Sequence, residues 1–325
     1  MTASLAAVST WLGIAAGLFS GACMSLSYLL SRHHALGHPA EARQGAALGL
    51  LVRSHVVMGV VATAGIILLQ PLALPPLARF IGPLVGAAGF YLLGNIIIFG
   101  LLRTLEASRL TPFLGLKVFI LALIVAIFLR EPLSATQWLA VGLSVAATAL
   151  LQGTAGGLPR AALGRVLVVC LCFALSDLFI VRLIDALHAS NAGPSGRLFA
   201  AVVGMLLNYV ACGLACGPIV LAGWCRRPAA GMAWPAWRMP VVYACTWLLA
   251  MASLYACFAL VGAVFGNVVQ STRGIMSVVI GAVLAHLGWH ELEQQVDRAT
   301  LVRRIGAACL MTAAIAVYVL ERRTG

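Results

Sequence analysis

Leu110 to Leu129 reads LTPFLGLKVFILALIVAIFL, and it holds the only lysine of the chain, Lys117, eight residues into an apolar run of spanning length. The other twenty basic residues are arginines, most of them outside the apolar segments. A cation at the centre of a bilayer costs roughly 2.5 to 3.5 kcal/mol on insertion scales, so this position requires compensation. Laid without gaps on Tyr255 to Ala285, the stretch Phe99 to Leu129 sets Lys117 opposite Arg273, the other basic residue well inside an apolar run. Only Ala107/Ala263, Ile124/Ile280 and Ala126/Ala282 are identical. The correspondence is therefore carried by matched buried cations in matched hydropathy, and the two stretches read as copies of one unit.

Composition places the whole chain in a membrane. Apolar residues make up 62% of it and charged residues 9%, with a mean hydropathy of +1.03, whereas a soluble domain carries about 25% charged residues. The apolar runs are about 20 residues long, enough to cross about 30 Å of hydrocarbon as helices and too long and too uniform for barrel strands. The first run, Trp11 to Leu30, has no basic region before it and no convincing cleavage site after it, so it reads as a span and not as a signal peptide. A net charge of +12 would suggest nucleic acid in a soluble domain; here most arginines sit at span ends, where they meet lipid phosphates. Nine cysteines lie mostly inside spans and show no zinc spacing.

Ten spans follow: 11–30, 46–69, 80–102, 110–129, 135–151, 166–187, 198–222, 241–260, 264–288 and 301–320. The Gly-rich segment Gln152 to Gly164 is the most linker-like connection and divides them five and five. The expected fold is an all-α membrane protein with ten transmembrane helices in two five-helix repeats, residues 1–155 and 156–325. Ser25 and Ser176 pair at an offset of 151, Lys117 and Arg273 at 156. A unit with an odd number of spans must re-enter the membrane from the opposite side, so the repeats are inverted. Inverted repeats house a midplane substrate site and work by alternating access. Gly13, Gly17 and Gly21 in the first span, with Gly82 and Gly86 in the third, read as close helix packing; Pro83 and Pro112 lie near helix starts.

A family resemblance enters at Glu131, Pro132, Leu133 and Ser134, with Gln137 and Gly142 behind them. This run resembles the loop and helix that close each half of EamA-type members of the drug/metabolite transporter superfamily. Ile305, Gly306 and Ala307, after the acidic loop Glu291, Glu293 and Asp297, echo it, as do Ala174, Leu175 and Ser176. Ala140 stands where glycine is usual, and the loop with Glu291 and Glu293 is longer than its counterpart. The resemblance covers the whole chain and implies a ten-helix transporter with a central cavity and cytoplasmic termini. That orientation puts five loop and end arginines inside (79, 130, 197, 322, 323) and twelve outside, against the positive-inside rule.

Lys117 and Arg273, approaching one cavity from opposite halves, are the expected binders of a carboxylate or phosphate. Asp177, the one acid far inside a span, has Leu26 in the matching place; it reads equally as partner to a buried cation or as a site for a proton or an ammonium group. Tyr91, Asn95, Asn267 and Gln270 are the expected polar lining, and Asn267 to Arg273 is the densest polar patch in any span. Arg53 reads as snorkelling, and Arg182 as a same-helix partner of Asp185. His33, His34 and His38 lack a further ligand for metal. No metal, cofactor or catalytic set is expected.

These readings converge on a secondary carrier, in the direction of export, for a small anionic or zwitterionic metabolite in the cell (inner) membrane, with proton coupling open through Asp177. A flippase for a phosphate-bearing lipid and an exporter of hydrophobic drugs are the alternatives within transport. Small multidrug exporters, four-helix relatives in the superfamily, handle cations with a buried glutamate in their first helix; the first span here holds no acid. An intramembrane lipid-modifying enzyme would need Asp177 or His55 as acid or base, without evident partners.

Overall fold

A chain in hydrocarbon must satisfy every backbone N–H and C=O internally, and uninterrupted apolar runs do this as helices. The computed structural model describes residues 2–39, 42–69, 74–102, 105, 110–128, 130, 133–152, 160–189, 196–226, 235–286 and 298–324. Glu131 and Pro132, the acidic loop with Glu291, Glu293 and Asp297, and residues 153–159 of the linker lie outside them. The described residues form eleven α-helices: α1 (Thr2–Leu36), α2 (Arg43–Leu69), α3 (Leu77–Leu102), α4 (Lys117–Leu123), α5 (Ala135–Gln152), α6 (Arg160–His188), α7 (Gly196–Arg226), α8 (Pro235–Val261), α9 (Ala263–Gln270), α10 (Arg273–His286) and α11 (Arg298–Thr324). No strand occurs among the described residues.

Among the described residues, six helical stretches are long and apolar enough to cross a membrane: Val8–Leu36, Gly45–Leu69, Leu77–Leu102, Ala162–His188, Gly196–Gly223 and Ala236–Val261. Three shorter apolar stretches, Phe113–Ile127, Ala135–Leu150 and Gly306–Val317, accompany them. Large apolar side chains face outward along these helices, among them Val60, Leu68 and Leu214. A surface of that kind suits lipid tails rather than water. The chain is thus an all-helical protein of membrane character.

Two of the expected spans are not regular. The fourth begins as a 3-10 turn over Thr111–Leu116, becomes α4, and widens to a π-turn over Ile124–Phe128. The ninth, expected unbroken from Val264, is cut into α9 and α10 at Ser271 and Thr272. Sequence supplies the reason for the cut. Ser271 and Thr272 hydroxyls donate to the carbonyls of Val268 (2.6 Å) and Val269 (2.7 Å), competing with the next helical turn. The backbone there tightens to three-residue bonds, Gly274 N to Ser271 O and Ile275 N to Thr272 O. Gly262, at φ 81°, makes the sharper break between α8 and α9 in a conformation that favours glycine.

The bundle is held chiefly by four helix pairings: α1 on α8, α3 on α6, α2 on α7 and α5 on α11. The glycine row of α1 runs from the end of α8, at Gly13, onto α9 and α10, at Gly17 and Gly21. A Cβ on Gly17 would come 2.8 Å from Val269, and one on Gly21 3.4 Å from the Arg273 Cβ. Of the third-span glycines, Gly86 makes such an approach, to Phe179, while a Cβ on Gly82 would meet nothing within 4 Å. Gly82 therefore does not serve the packing expected of it. The closest backbone crossing involves glycines outside the expected rows: a Cβ on Gly59 would stand 2.8 Å from the Gly213 Cα, and one on Gly213 2.8 Å from the Gly59 Cα.

Because α2 and α7 touch backbone to backbone there, a larger residue must drive them apart. Gly59→Leu is expected to lower stability by about 1 to 3 kcal/mol, read by thermal unfolding in detergent, while Gly82→Ala should not lower it.

Candidate functional site

The 3-10 turn of the fourth span ends at Leu116, and Lys117 is the first residue of α4; the break in the ninth span ends at Thr272, and Arg273 is the first residue of α10. Both cations therefore sit where an irregular turn passes into a helix. Both are buried, with 4% and 3% of their surface exposed. Each reaches across to the other's span. Lys117 Nζ donates to Gln270 Oε1 at 2.9 Å, and Arg273 Nη2 donates to the Leu114 carbonyl at 3.3 Å. That carbonyl lies in the 3-10 turn ahead of Lys117.

Their charges are compensated unequally. Lys117 Nζ lies 2.8 Å from Asp177 Oδ2 on α6, an ion pair with both partners buried. Such a pair is neutral as a unit and has little field left to offer. Arg273 makes no ion pair with a carboxylate among the described residues; Nη1 faces the Met24 sulfur at 3.9 Å, and Nε has no hydrogen-bond partner. The cluster of Lys117, Asp177 and Arg273 thus carries one net positive charge. It resides on Arg273.

A small cavity of about 20 Å³ adjoins the cluster. That is room for about one water molecule, so a larger solute enters only as the wall moves. The wall takes Met24 and Tyr28 from α1, Tyr91 from α3, Lys117 from α4, Phe173, Ser176, Asp177 and Ile180 from α6, Trp247, Met251 and Leu254 from α8, and Arg273 from α10. Helical periodicity explains these sets: 173, 176, 177 and 180 share one face of α6, and 247, 251 and 254 one face of α8.

Of the residues expected from sequence, Lys117, Arg273, Asp177 and Tyr91 line this cavity. Gln270 supports it from behind, accepting from Lys117 while its Nε2 faces the Met24 sulfur at 3.2 Å. Asn95 and Asn267 turn back on their own helices, donating to the carbonyls of Tyr91 and Ala263 at 2.9 Å each. The polar run from Asn267 to Arg273 therefore contributes one lining residue, Arg273. Its hydroxyls form the break instead, and Ser144 of α5 ties to Ser271 at 2.9 Å.

Three secondary expectations are corrected or refined. Asp185 pairs with Arg197 at 2.8 Å, on the following helix, and not with Arg182. Arg53 donates to the Ala236 carbonyl at 3.1 Å, a fixed contact between α2 and α8. His38 Nδ1 donates to the His34 carbonyl at 2.9 Å, and no group of metal-ligating side chains occurs among the described residues.

Apart from Tyr91, sequence reasoning missed the aromatic part of the wall. Trp247 Nε1 donates to Tyr209 Oη at 2.8 Å, Tyr209 Oη to Tyr91 Oη at 3.3 Å, and Tyr91 Oη lies 3.0 Å from His55 Nε2. His55 Nδ1 is 2.7 Å from the Leu51 carbonyl and must donate to it. Nε2 of the neutral ring is then the acceptor for Tyr91. Four side chains from α8, α7, α3 and α2, each with no more than 3% exposure, thus form one directional chain. The available signal was position: tyrosine and tryptophan favour membrane interfaces, whereas Tyr28, Tyr91 and Tyr209 fall inside apolar runs.

No family model matches the chain, and no curated protein is similar to it. Among solved structures it is similar to a crystal structure over 99% of its own length and 98% of that chain, with a TM-score of 0.59 and 16% identity. At that identity the likeness speaks for the fold alone.

Removing one partner of the buried ion pair strands the other. Lys117→Met is expected to destabilise the protein by about 3 to 5 kcal/mol, and Lys117→Met with Asp177→Leu to recover most of the loss. A thermal double-mutant cycle on the purified protein checks this.

Proposed function

We propose that the chain is a secondary carrier of the EamA type, with ten spans in two inverted five-helix repeats, residing in the cell membrane. It moves a small anionic or zwitterionic metabolite, in the direction of export, by alternating access. The observation that carries this reading is the cavity itself. Its wall draws on the first, third and fourth spans and on the sixth, eighth and ninth, which are their counterparts five spans on. A buried arginine without a carboxylate partner among the described residues looks into it.

The helix pairings support the repeat. Exchanging each span for its counterpart turns α1 on α8 into α6 on α3, and leaves the pairs α2 with α7 and α5 with α11 unchanged. Gly59 and Gly213 meet reciprocally, and so do the carbonyls beside them: a Cβ on Gly59 would stand 3.2 Å from Tyr209 O, one on Gly213 3.2 Å from His55 O. That contact lies where a pseudo-two-fold axis would pass. Matched breaks in the fourth and ninth spans are the discontinuous helices on which inverted-repeat carriers build midplane sites.

The site assigns the two cations different work. Arg273 binds the acidic group through its planar fork. Lys117 answers a second acceptor only when Asp177 gives it up, by protonation or by exchange for the solute's carboxylate. Asp177 is in this way the point at which a proton couples to transport. The lipid-modifying alternative would take Asp177 or His55 as acid or base; Asp177 is paired with Lys117, and both ring nitrogens of His55 are engaged, by the Leu51 carbonyl and Tyr91.

Flux into proteoliposomes tests the proposal. With a panel of labelled carboxylates and amino acids, Arg273→Gln is expected to reduce uptake of the accepted solute about tenfold or more, the value of one charged hydrogen bond. Arg53→Gln, which loses only its contact to a backbone carbonyl, should transport as wild type does. Equal flux by wild type and Arg273→Gln would refute the anion site.

A further inference from the structure

The cavity wall combines a single net charge with three rings, two of which, Trp247 and Tyr91, have their own polar groups already engaged. Trp247 and Tyr28 meet edge to face at 5.6 Å between centroids, and Trp247 and Tyr91 lie 6.2 Å apart at a tilt. These three rings are contiguous. Their distance from the charge follows from α1: Met24 touches Arg273, and Tyr28 is one turn further on, about 6 Å along the axis. A carboxylate on Arg273 and a ring among these three are thus separated by the length of a short side chain.

The relay behind the rings narrows what they can recognise. Trp247 has spent its N–H on Tyr209, and Tyr91 has spent its O–H on His55. What both present to the cavity is ring face and edge. Met24, Met251 and Leu254 complete the apolar lining, and thioether sulfur against a ring is a favourable contact. A solute rich in hydroxyls would lose its water here against a mostly apolar wall. A second acidic group would find the other cation, Lys117, already held by Asp177.

We propose that Tyr28, Tyr91 and Trp247 form a ring-binding subsite beside Arg273, and that the solute is a monocarboxylate with a planar aromatic or heteroaromatic body. The inference rests on the carrier reading above. His55 and Tyr209 touch no solute; they are positioning residues that hold Tyr91 and Trp247 in place.

Calorimetric titration of the purified full chain with four probes tests it: indole-3-acetate, cyclohexylacetate, acetate and succinate. Wild type is expected to bind indole-3-acetate about tenfold tighter than cyclohexylacetate, since ring pairing adds to area burial, and succinate no tighter than acetate. Trp247→Leu and, independently on another helix, Tyr28→Leu should bring the two ring probes within about twofold of each other, while Trp247→Phe keeps the preference. Tyr209→Phe should weaken the ring preference and leave acetate affinity unchanged, which a general loss of stability would not do. Equal affinity for indole-3-acetate and cyclohexylacetate in wild type, or tightest binding of succinate, overturns the ring subsite and leaves the carrier reading standing. Binding of all four probes unchanged in Arg273→Gln, or of none to wild type, overturns both.

Discussion

The structure depends on how three buried charges are held in an apolar interior. Lys117, Asp177 and Arg273 are each almost fully withdrawn from solvent, where an unpaired charge is costly and a paired one is stable only with good geometry. Pairing one cation with the one acid resolves two of the three. The third charge is met by the Leu114 carbonyl in the 3-10 turn ahead of α4, an oxygen that also accepts the Lys117 backbone N–H. Irregular backbone inside the bundle is tolerated because it lies within protein, and here one of its carbonyls takes Arg273 as a second donor.

The same constraint explains features that look unrelated. Arg273 can sit at the start of α10 only if α1 passes close by, and Gly17 and Gly21 keep that face of α1 without side chains. Ser25, one turn beyond Gly21, donates to the Arg273 carbonyl at 2.9 Å, so α1 is also hydrogen-bonded to the first turn of α10. Ser144 does comparable work from α5 through Ser271. Small and hydroxylated residues thus gather around the break because close approach and hydrogen bonding are the means of helix association in lipid.

On the aromatic side the logic is the reverse: polar groups are consumed rather than left over. The chain from Trp247 through Tyr209 and Tyr91 to His55 has a donor and an acceptor at every link, and the Leu51 carbonyl closes it. A satisfied buried network is rigid, because moving any member breaks bonds that nothing else in the interior replaces. A stiff ring wall therefore stands beside a cavity with space for about one water. Any larger occupant has to be admitted by movement of the helices, and the flexible lining, Met24 and Met251, is where such space opens first.

Composition and run length determined the membrane character and helical class by themselves, because no arrangement of so few charges can cover a soluble surface. They also exposed Lys117 and Arg273, since a cation inside an apolar run is visible without any fold, and Asp177 for the same reason. The partnership of these residues was not legible. Which cation Asp177 neutralises depends on the relative rotation of α4, α6 and α10, and helical phase between spans is written in packing rather than in any one segment. Asn95 and Asn267 illustrate this: an amide in a span can turn inward or bond its own helix, and only the neighbours decide. The ring wall was hidden for a related reason. Tyr91 was expected as lining, but Tyr28, Tyr209 and Trp247 come from three further helices, and aromatic residues in apolar runs look alike until tertiary structure brings them together.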